Sequence, residues 1–243
     1  MNLIIGRKPV LEAINSGEEI EQVFILHDQK GGIIDAIRIA SKKRGIKCSE
    51  VKKDRFQSIT SNSNVQGVAA QISSRKFYSI EEIILSSKKS KYPLIVILDS
   101  IQDPHNTGAI IRTAECAGAT GILITRHNSA PINQTVVKAS AGATEHLKIC
   151  AVNNLSQSLQ ILKENNFWIV GSSLENSQNY SDIDYKIPIA LVVGNEENGI
   201  RKLTAKRCDF LIKIPMKGKI QSLNVSVAAG ILLFEILRQR NEN

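Results

Sequence analysis

Three segments of this chain combine glycines with polar and charged side chains in patterns that could bind a ligand. The first runs from Asp103 through Asn106 and Gly108 to Arg112. Asp103 and Asn106 provide turn and helix-cap chemistry, and Gly108 lets a neighbouring backbone or a ligand come close. Taken singly, Asn106 is better interpreted as a cap and Arg112 as a solvated charge.

The second segment places two glycines around two carboxylates, and it reads Gly194-Asn195-Glu196-Glu197-Asn198-Gly199. One interpretation is a plain turn that leads into a helix with a charged first turn, which the helix dipole favours. In the other, Gly194 gives a cofactor access to the backbone while Glu196 turns inward to form a hydrogen bond. Position alone leaves both interpretations open.

The third segment carries small and polar residues at Ser222, Asn224 and Ser226, in the opening of a strongly apolar helix. These side chains can cap that helix or face a ligand. Gly230 lies inside the same helix and weakens it by roughly 1 kcal/mol relative to alanine. Its presence therefore predicts tight packing against another backbone.

Several common kinds of site are excluded. The sequence has neither GxxxxGK[ST] nor GxGxxG after a strand, so the usual nucleoside-triphosphate and dinucleotide sites are absent. It also lacks the GxSxG turn of serine hydrolases. The four cysteines and four histidines form no CxxC or HExxH spacing, so no metal is expected. What remains is a cofactor site without a phosphate cradle.

The elements that must position these segments follow from the hydrophobic pattern. Strands are predicted at 94–98, 122–125, 147–151, 168–171, 189–193 and 210–214, and helices at 107–117, 133–141, 155–165, 200–206 and 223–238. The strand that begins at Leu94 is apolar throughout, which is typical of a parallel sheet covered by helices on both faces. We therefore predict a doubly wound α/β fold, in which ligands bind at the carboxyl ends of the strands.

The residues before this fold divide into two parts. Residues 1–73 read as a small α/β domain, with helices at 9–15 and 33–43 and strands at 22–26, 46–51 and 66–72. Residues 74–92 are rich in lysine and serine and are predicted to be a linker that carries a short helix. The larger domain then spans residues 93–243.

The composition of the chain narrows the choice of binding partner and of cellular compartment. The formal charge of +8 and the pI near 9.3 favour a polyanionic partner, although excess lysine can also serve only solubility. The apolar fraction of 42% and charged fraction of 22% are those of a soluble globular protein. No apolar stretch is long enough to cross a bilayer, and the first residues do not resemble a secretory signal. A cytoplasmic address without membrane contact is expected.

Together, the three segments resemble the three motifs of the SpoU (TrmH-type) RNA ribose methyltransferases of the SPOUT superfamily, in the same order and spacing. One departure is Glu197, where that family commonly has glycine. The first domain, from Gly6 to Ile14, looks like the ribosomal-protein-like RNA-binding extension of the bacterial large-subunit rRNA guanosine-2′-O-methyltransferases.

This resemblance implies a fold, a cofactor and an assembly. The fold would be the α/β-knot, a mainly parallel sheet with a deep trefoil knot, among the rare exceptions to unknotted topology. S-adenosylmethionine would be held in the knot by backbone groups of Gly194, Ile214, Met216 and Leu223. The family is typically a homodimer with its sites near the subunit interface.

The resemblance also implies a reaction, the 2′-O-methylation of a ribose, most closely of a guanosine in large-subunit rRNA. Arg112 would stand nearest the reacting hydroxyl, as base or as electrostatic stabiliser, and the site would be shaped by Asn106, Glu196, Ser222 and Asn224. Two alternatives stay open at this point: a tRNA guanosine-2′-O-methyltransferase, and a non-catalytic RNA-binding or ribosome-assembly protein.

Overall fold

A computed structural model describes residues 3–18, 20–60, 66–72, 77–195, 198–219 and 222–241. The chain divides into two compact units, residues 1–76 and 77–243. Within the described ranges, no helix is both long and apolar enough to cross a membrane.

In the residues described, the first unit comprises a four-stranded sheet and three helices. Its elements are β1 (Leu3–Ile5), α1 (Arg7–Ser16), β2 (Ile20–Leu26), α2 (Gly32–Arg44), β3 (Lys47–Val51), α3 (Lys53–Thr60) and β4 (Val68–Ile72). The strand order is β1-β4-β2-β3, with β4 antiparallel to both its neighbours and β2 parallel to β3. Helices α1 and α2 cover one face, and Phe56 of α3 packs with Phe24 and Val51 on the other.

The second unit is built on a seven-stranded sheet. Its elements are α4 (Ile80–Ser87), β5 (Leu94–Asp99), α5 (Pro104–Cys116), β6 (Gly121–Thr125), α6 (Gln134–Ala139), β7 (Ile149–Val152), α7 (Leu155–Glu164), β8 (Trp168–Ser172), β9 (Gln178–Asn179), β10 (Ile189–Gly194), α8 (Lys202–Ala205), β11 (Phe210–Lys213) and α9 (Val225–Asn241). The strand order is β7-β6-β5-β10-β8-β11-β9, and these neighbours pair in parallel. The predicted parallel α/β architecture is confirmed.

Alternate residues of each central strand feed the two faces of this sheet, because side chains alternate along a strand. Val96 and Leu98 of β5 enter the core formed with α5, α6 and α9. Ile95 and Ile97 enter the core formed with α4 and α7. Both faces are therefore buried, which explains why β5 is apolar from Leu94 to Leu98.

The segment expected to be a linker contains an element of the second unit. Ile80 and Ile83 of α4 are buried in the same core as α7, so this helix is part of the domain and does not bridge two domains. A capping box fixes its start, because the Ser79 hydroxyl accepts from the Glu82 N–H while the Glu82 carboxylate accepts from the Ser79 N–H.

Three elements of the structure had no counterpart in the sequence prediction, namely β1, α3 and β9.

Two helix glycines have opposite environments. A Cβ on Gly108 in α5 would lie 2.5 Å from the Ala139 Cβ and 2.8 Å from the Val136 carbonyl oxygen, so this glycine lets α5 pack on α6. A Cβ on Gly230 in α9 would meet only the Thr113 methyl group, at 3.8 Å. The expected tight backbone packing at Gly230 was therefore wrong, because the neighbouring helix contacts it through a side chain at ordinary distance.

Candidate active site

The three motif segments follow β5, β10 and β11, and the sheet brings their ends to one edge. β10 lies between β5 and β8, and β11 pairs with β8, all in parallel. Strands that run in the same direction end at the same edge of the sheet, so the segments after Asp99, Gly194 and Lys213 share that edge. The structure therefore brings together segments that lie far apart in the sequence.

The first and third segments are joined by a hydrogen bond. Asn224 Nδ2 donates to Asn106 Oδ1 over 3.0 Å. Asp103 is the residue that caps α5, accepting from the His105 N–H at 2.9 Å, so the reading of Asn106 as only a cap was wrong. Asn106 lies inside the first turn, which leaves its amide able to reach across to α9.

Asn224 performs one of the two roles that the sequence left open for it, that of a helix cap. It directly precedes α9, and its side-chain oxygen accepts from the backbone N–H of Ser226 at 2.9 Å and from the Ser226 hydroxyl at 2.6 Å. Its side-chain nitrogen meanwhile binds Asn106. One side chain thus caps a helix and links two motif segments, whereas Ser222 and Leu223 are solvent-exposed just before it.

Arg112 is an exposed cation in the third turn of α5. Helical geometry puts it about 9 Å along the axis and about 120° around it from Asn106. The part of the chain that the structure describes provides Arg112 with no salt bridge or hydrogen bond. Its guanidinium is therefore accessible to a ligand that approaches α5.

The second segment begins at Gly194 and folds back on itself. Asn195 and Gly199 exchange backbone hydrogen bonds of 3.0 and 2.9 Å. A Cβ on Gly194 would lie 2.1 Å from the carbonyl carbon of Gly199, so this position needs glycine for the return of its own loop. Glu196, predicted to shape the site, lies outside the described residues, as does Glu197.

A cavity of about 430 Å³ opens after β11, within the usual size range of small-molecule sites. Its lining includes Ile214 and Met216, two of the four residues expected to hold the cofactor. The other lining residues are Leu174, Lys213, Pro215 and Gly218. Gly194 and Leu223 are not among the described residues that line it. Leu174 carried no sequence signal, because it lies in the loop after β8.

The backbone beside this cavity offers hydrogen-bonding groups. Among the described residues, no backbone–backbone hydrogen bond joins 214–219 to the rest of the chain. Apolar walls suit a flat adenine ring, and backbone N–H and C=O groups that bond no other described backbone group suit its polar edge and the ribose hydroxyls. The residues present therefore fit S-adenosylmethionine, a ligand without phosphates.

In the described ranges, no three potential metal ligands cluster around a possible metal position. All four cysteines are free. Burial raises the pKa of Cys150 to about 11 and that of Cys208 to about 12, so both stay protonated at neutral pH. These two residues are structural thiols.

Comparison with known proteins agrees with this geometry. Residues 93–234 match the model of the SpoU rRNA methylase family, and residues 3–78 match the model for RNA 2′-O ribose methyltransferase substrate binding. A protein of Staphylococcus saprophyticus, named as a TrmH family tRNA/rRNA methyltransferase, is 39% identical over 240 residues, which are 98% of this chain and 96% of that protein. YacO of Bacillus subtilis, similarly named, is 36% identical over 98% of this chain and 96% of its own length.

The fold and the cofactor are supported by solved structures. The AdoMet-bound rRNA methyltransferase from Sinorhizobium meliloti superimposes with a TM-score of 0.63 and 28% identity, covering 97% of this chain and 86% of that one. A family match over more than half of the chain, together with a relative this similar over nearly its whole length, settles the family. The chain belongs to the SpoU (TrmH) family of RNA methyltransferases, which take their methyl group from S-adenosylmethionine.

Proposed function

We propose that this enzyme methylates the 2′-hydroxyl of a ribose, and that its target is a guanosine in large-subunit ribosomal RNA. The observation that carries the proposal is the match of residues 3–78 to the substrate-binding model of RNA 2′-O ribose methyltransferases. The chain combines this unit with a unit that matches the SpoU rRNA methylase family over residues 93–234. The net charge of +8 supports a polyanionic substrate of this kind.

The chain's own residues have mainly to position the substrate. Bound S-adenosylmethionine supplies a methyl group already activated by its sulfonium. Backbone groups near Gly194, Ile214, Met216 and Leu223 would hold it, as the family resemblance implies. The remaining task is to align the ribose oxygen and to favour loss of its proton.

Arg112 acts in this proposal by its positive charge. Arginine is protonated at any ordinary pH, so it can act as a base only in an unusual environment. Arg112 is solvent-exposed and lacks such an environment. We assign it the stabilisation of negative charge that develops on the ribose oxygen, with a neighbouring phosphate as a second ligand. Asn106, Ser222 and Asn224 would orient the ribose around it, together with Glu196.

The enzyme is proposed to act as a homodimer in the cytoplasm. The trefoil knot is a prediction from the family resemblance. Helix α9 presents Val227 and Phe234 to solvent, each 51% exposed, on a protein whose other apolar residues are mostly buried. Phe234→Glu should convert a dimer to a monomer in sedimentation. Leu85→Glu, at an even more exposed apolar side chain of α4, should leave the dimer intact. A monomeric wild type would contradict this assembly.

A tRNA substrate is the second candidate, because the curated relatives carry both substrates in their names. The deciding experiment offers purified, protein-free large-subunit rRNA and bulk tRNA in parallel, with S-adenosylmethionine labelled in its methyl group. We expect label in rRNA at one nuclease-mapped guanosine. Label in tRNA alone would replace the substrate assignment, and binding of the cofactor without transfer to either RNA would favour a non-catalytic RNA-binding protein.

A further inference from the structure

Asp99 and Gly194 form the last residue pair in the parallel register of β5 and β10. Asp99 is completely buried, although its side chain is a carboxylate. A buried carboxylate is costly unless it is paired and hydrogen-bonded, so its partners indicate what this position is built to hold. The position lies at the start of the first motif segment and directly beside the start of the second.

A single residue supplies most of those partners. Arg201 Nε lies 2.6 Å from Asp99 Oδ1, and the Arg201 backbone N–H donates to Asp99 Oδ2 over 3.1 Å. The Ser100 hydroxyl donates to Asp99 Oδ1 over 3.3 Å. Because Arg201 follows the second motif segment, these bonds close that segment onto the end of β5. We call this pair the Asp99–Arg201 clamp.

Other bonds fix the same loop against the same strand end. The side chain of Asn195 donates to the Ser100 carbonyl over 3.2 Å. Ser100 has a φ of 66°, a left-handed conformation that a serine adopts only when its surroundings impose it. The backbone of Gly199 and Ile200 meanwhile lies against the Cα of Gly194. The loop is thus fixed at three places: near its start at Asn195, where Gly199 turns back onto Gly194, and at Arg201, where it ends.

We propose that Asp99 and Arg201 are positioning residues for methyl transfer. By fixing the ends of the 194–200 loop, the clamp sets where Gly194 and Gly199 lie relative to the first motif segment. Neither residue needs to touch the substrate. For the reaction, the inference rests on the proposed function; for cofactor binding, it rests only on the family's use of S-adenosylmethionine.

The burial of Asp99 makes the clamp different from an ordinary surface ion pair. Exposed pairs contribute little, because water solvates both partners. Here, removal of the guanidinium leaves a buried carboxylate with too few partners, and the loop must shift to admit water. That shift displaces Gly194, whose backbone the family resemblance assigns to cofactor binding, so cofactor affinity should fall together with turnover.

The chain contains a matched control pair. Asp209 binds Lys163 Nζ at 2.7 Å and accepts the Ile169 N–H at 2.8 Å, so it too joins a cation and a backbone donor. Asp209 directly precedes β11, and Ile169 is near the start of β8, which places this pair at the opposite edge of the sheet. Because this pair is far less buried than Asp99, its loss should change stability little and leave the site unaffected.

The test compares Arg201→Met with Lys163→Met in the full-length protein. S-adenosylmethionine affinity is measured by calorimetry, thermal stability by Tm, and single-turnover methylation on the substrate RNA. We expect Arg201→Met to weaken cofactor binding by about tenfold or more, since displacements of the order of 1 Å are costly in such sites. Lys163→Met should bind the cofactor like the wild type, and Arg201→Lys should recover most of the affinity.

A second test of the clamp substitutes Asp99 instead of Arg201. Asp99→Asn keeps the volume and an oxygen for the Arg201 N–H, and it should lose as much cofactor affinity as Arg201→Met. The double variant should lose no more than either single one, because both remove the same interaction. Wild-type affinity in both single variants, or equal losses in Arg201→Met and Lys163→Met, would overturn the clamp. Methyl transfer by the wild type to no RNA would refute the proposed function alone.

Discussion

Arg112 is an exposed cation on α5 that the described part of the chain does not neutralise, and its charge is the property that the proposed mechanism uses. Arg112→Ala should lower single-turnover methylation by about a hundredfold or more, the usual cost of removing one electrostatic stabiliser of the transition state. Cofactor affinity should change little, because Arg112 does not line the cavity after β11. Rapid-quench methylation and calorimetry measure the two effects separately.

The matched control is Lys206→Ala, which removes an exposed cation just after α8. It should leave both single-turnover rate and cofactor affinity unchanged. A fully active Arg112→Ala enzyme would remove Arg112 from the catalytic machinery.

Among the elements, helices α5 and α6 can pack closely only because residue 108 has no side chain. Gly108→Ala should lower the free energy of unfolding by about 1–3 kcal/mol, the usual cost of overpacking. Gly230→Ala should be neutral or raise it by up to roughly 1 kcal/mol, because the added methyl has space and alanine favours helix. Urea denaturation of both variants gives the comparison. A Gly108→Ala protein as stable as the wild type would contradict the packing between α5 and α6.

The start of α9 combines a helix cap with a link to α5, and two substitutions at Asn224 separate these roles. Asn224→Ala should lower the free energy of unfolding by about 1 kcal/mol through loss of the cap. Asn224→Ser keeps a capping oxygen but is too short to reach Asn106, so stability should recover while methylation stays slow. Denaturation curves and single-turnover rates measure the two effects. Wild-type turnover in the serine variant would show that the bond to Asn106 has no role.

Most elements of the second unit could be predicted because their hydrophobic pattern is unambiguous. The strand beginning at Leu94 is apolar throughout, and α7 repeats apolar residues at helical spacing. Shorter elements carried too little pattern: β9 has two residues, and β1 has three. Helix α4 was placed in a linker because lysine and serine surround it, although Ile80 and Ile83 are buried.

The site could be predicted in part, and only through motif resemblance. The side-chain nitrogen of Asn224 donates to the side-chain oxygen of Asn106, although the two residues are 118 positions apart in the sequence. No local sequence pattern specifies such a pairing. The Asp99–Arg201 clamp spans 102 positions and joins two residue types that are common on protein surfaces. Such contacts depend on which strands become neighbours, and periodicity predicts strands without predicting their order.

At the scale of the whole molecule, the first unit should supply much of the affinity for RNA. Lys52 and Lys53 are exposed at the edge of its sheet where β3 ends and α3 begins, and α1 and α2 also begin at this edge. Helix starts favour anions, so phosphates should bind here. Replacing both lysines with glutamate should weaken RNA binding and reduce the slope of log affinity against log salt by about 2.

The control for this prediction replaces Lys42 and Lys43, which are exposed at the opposite end of α2. That pair of substitutions makes the same change in net charge, but it should affect RNA affinity less. Filter binding at several salt concentrations distinguishes the two. Equal losses would show that net charge alone, rather than this edge, attracts the RNA.

The proposed acceptor of the methyl group is a ribose 2′-oxygen. The most direct measurement digests RNA methylated by the purified enzyme to nucleosides and identifies the methylated nucleoside by chromatography and mass spectrometry. We expect 2′-O-methylguanosine, and loss of transfer when the target nucleotide is replaced by its 2′-deoxy form. A methyl group on the base, or undiminished transfer to the deoxy substrate, would contradict it.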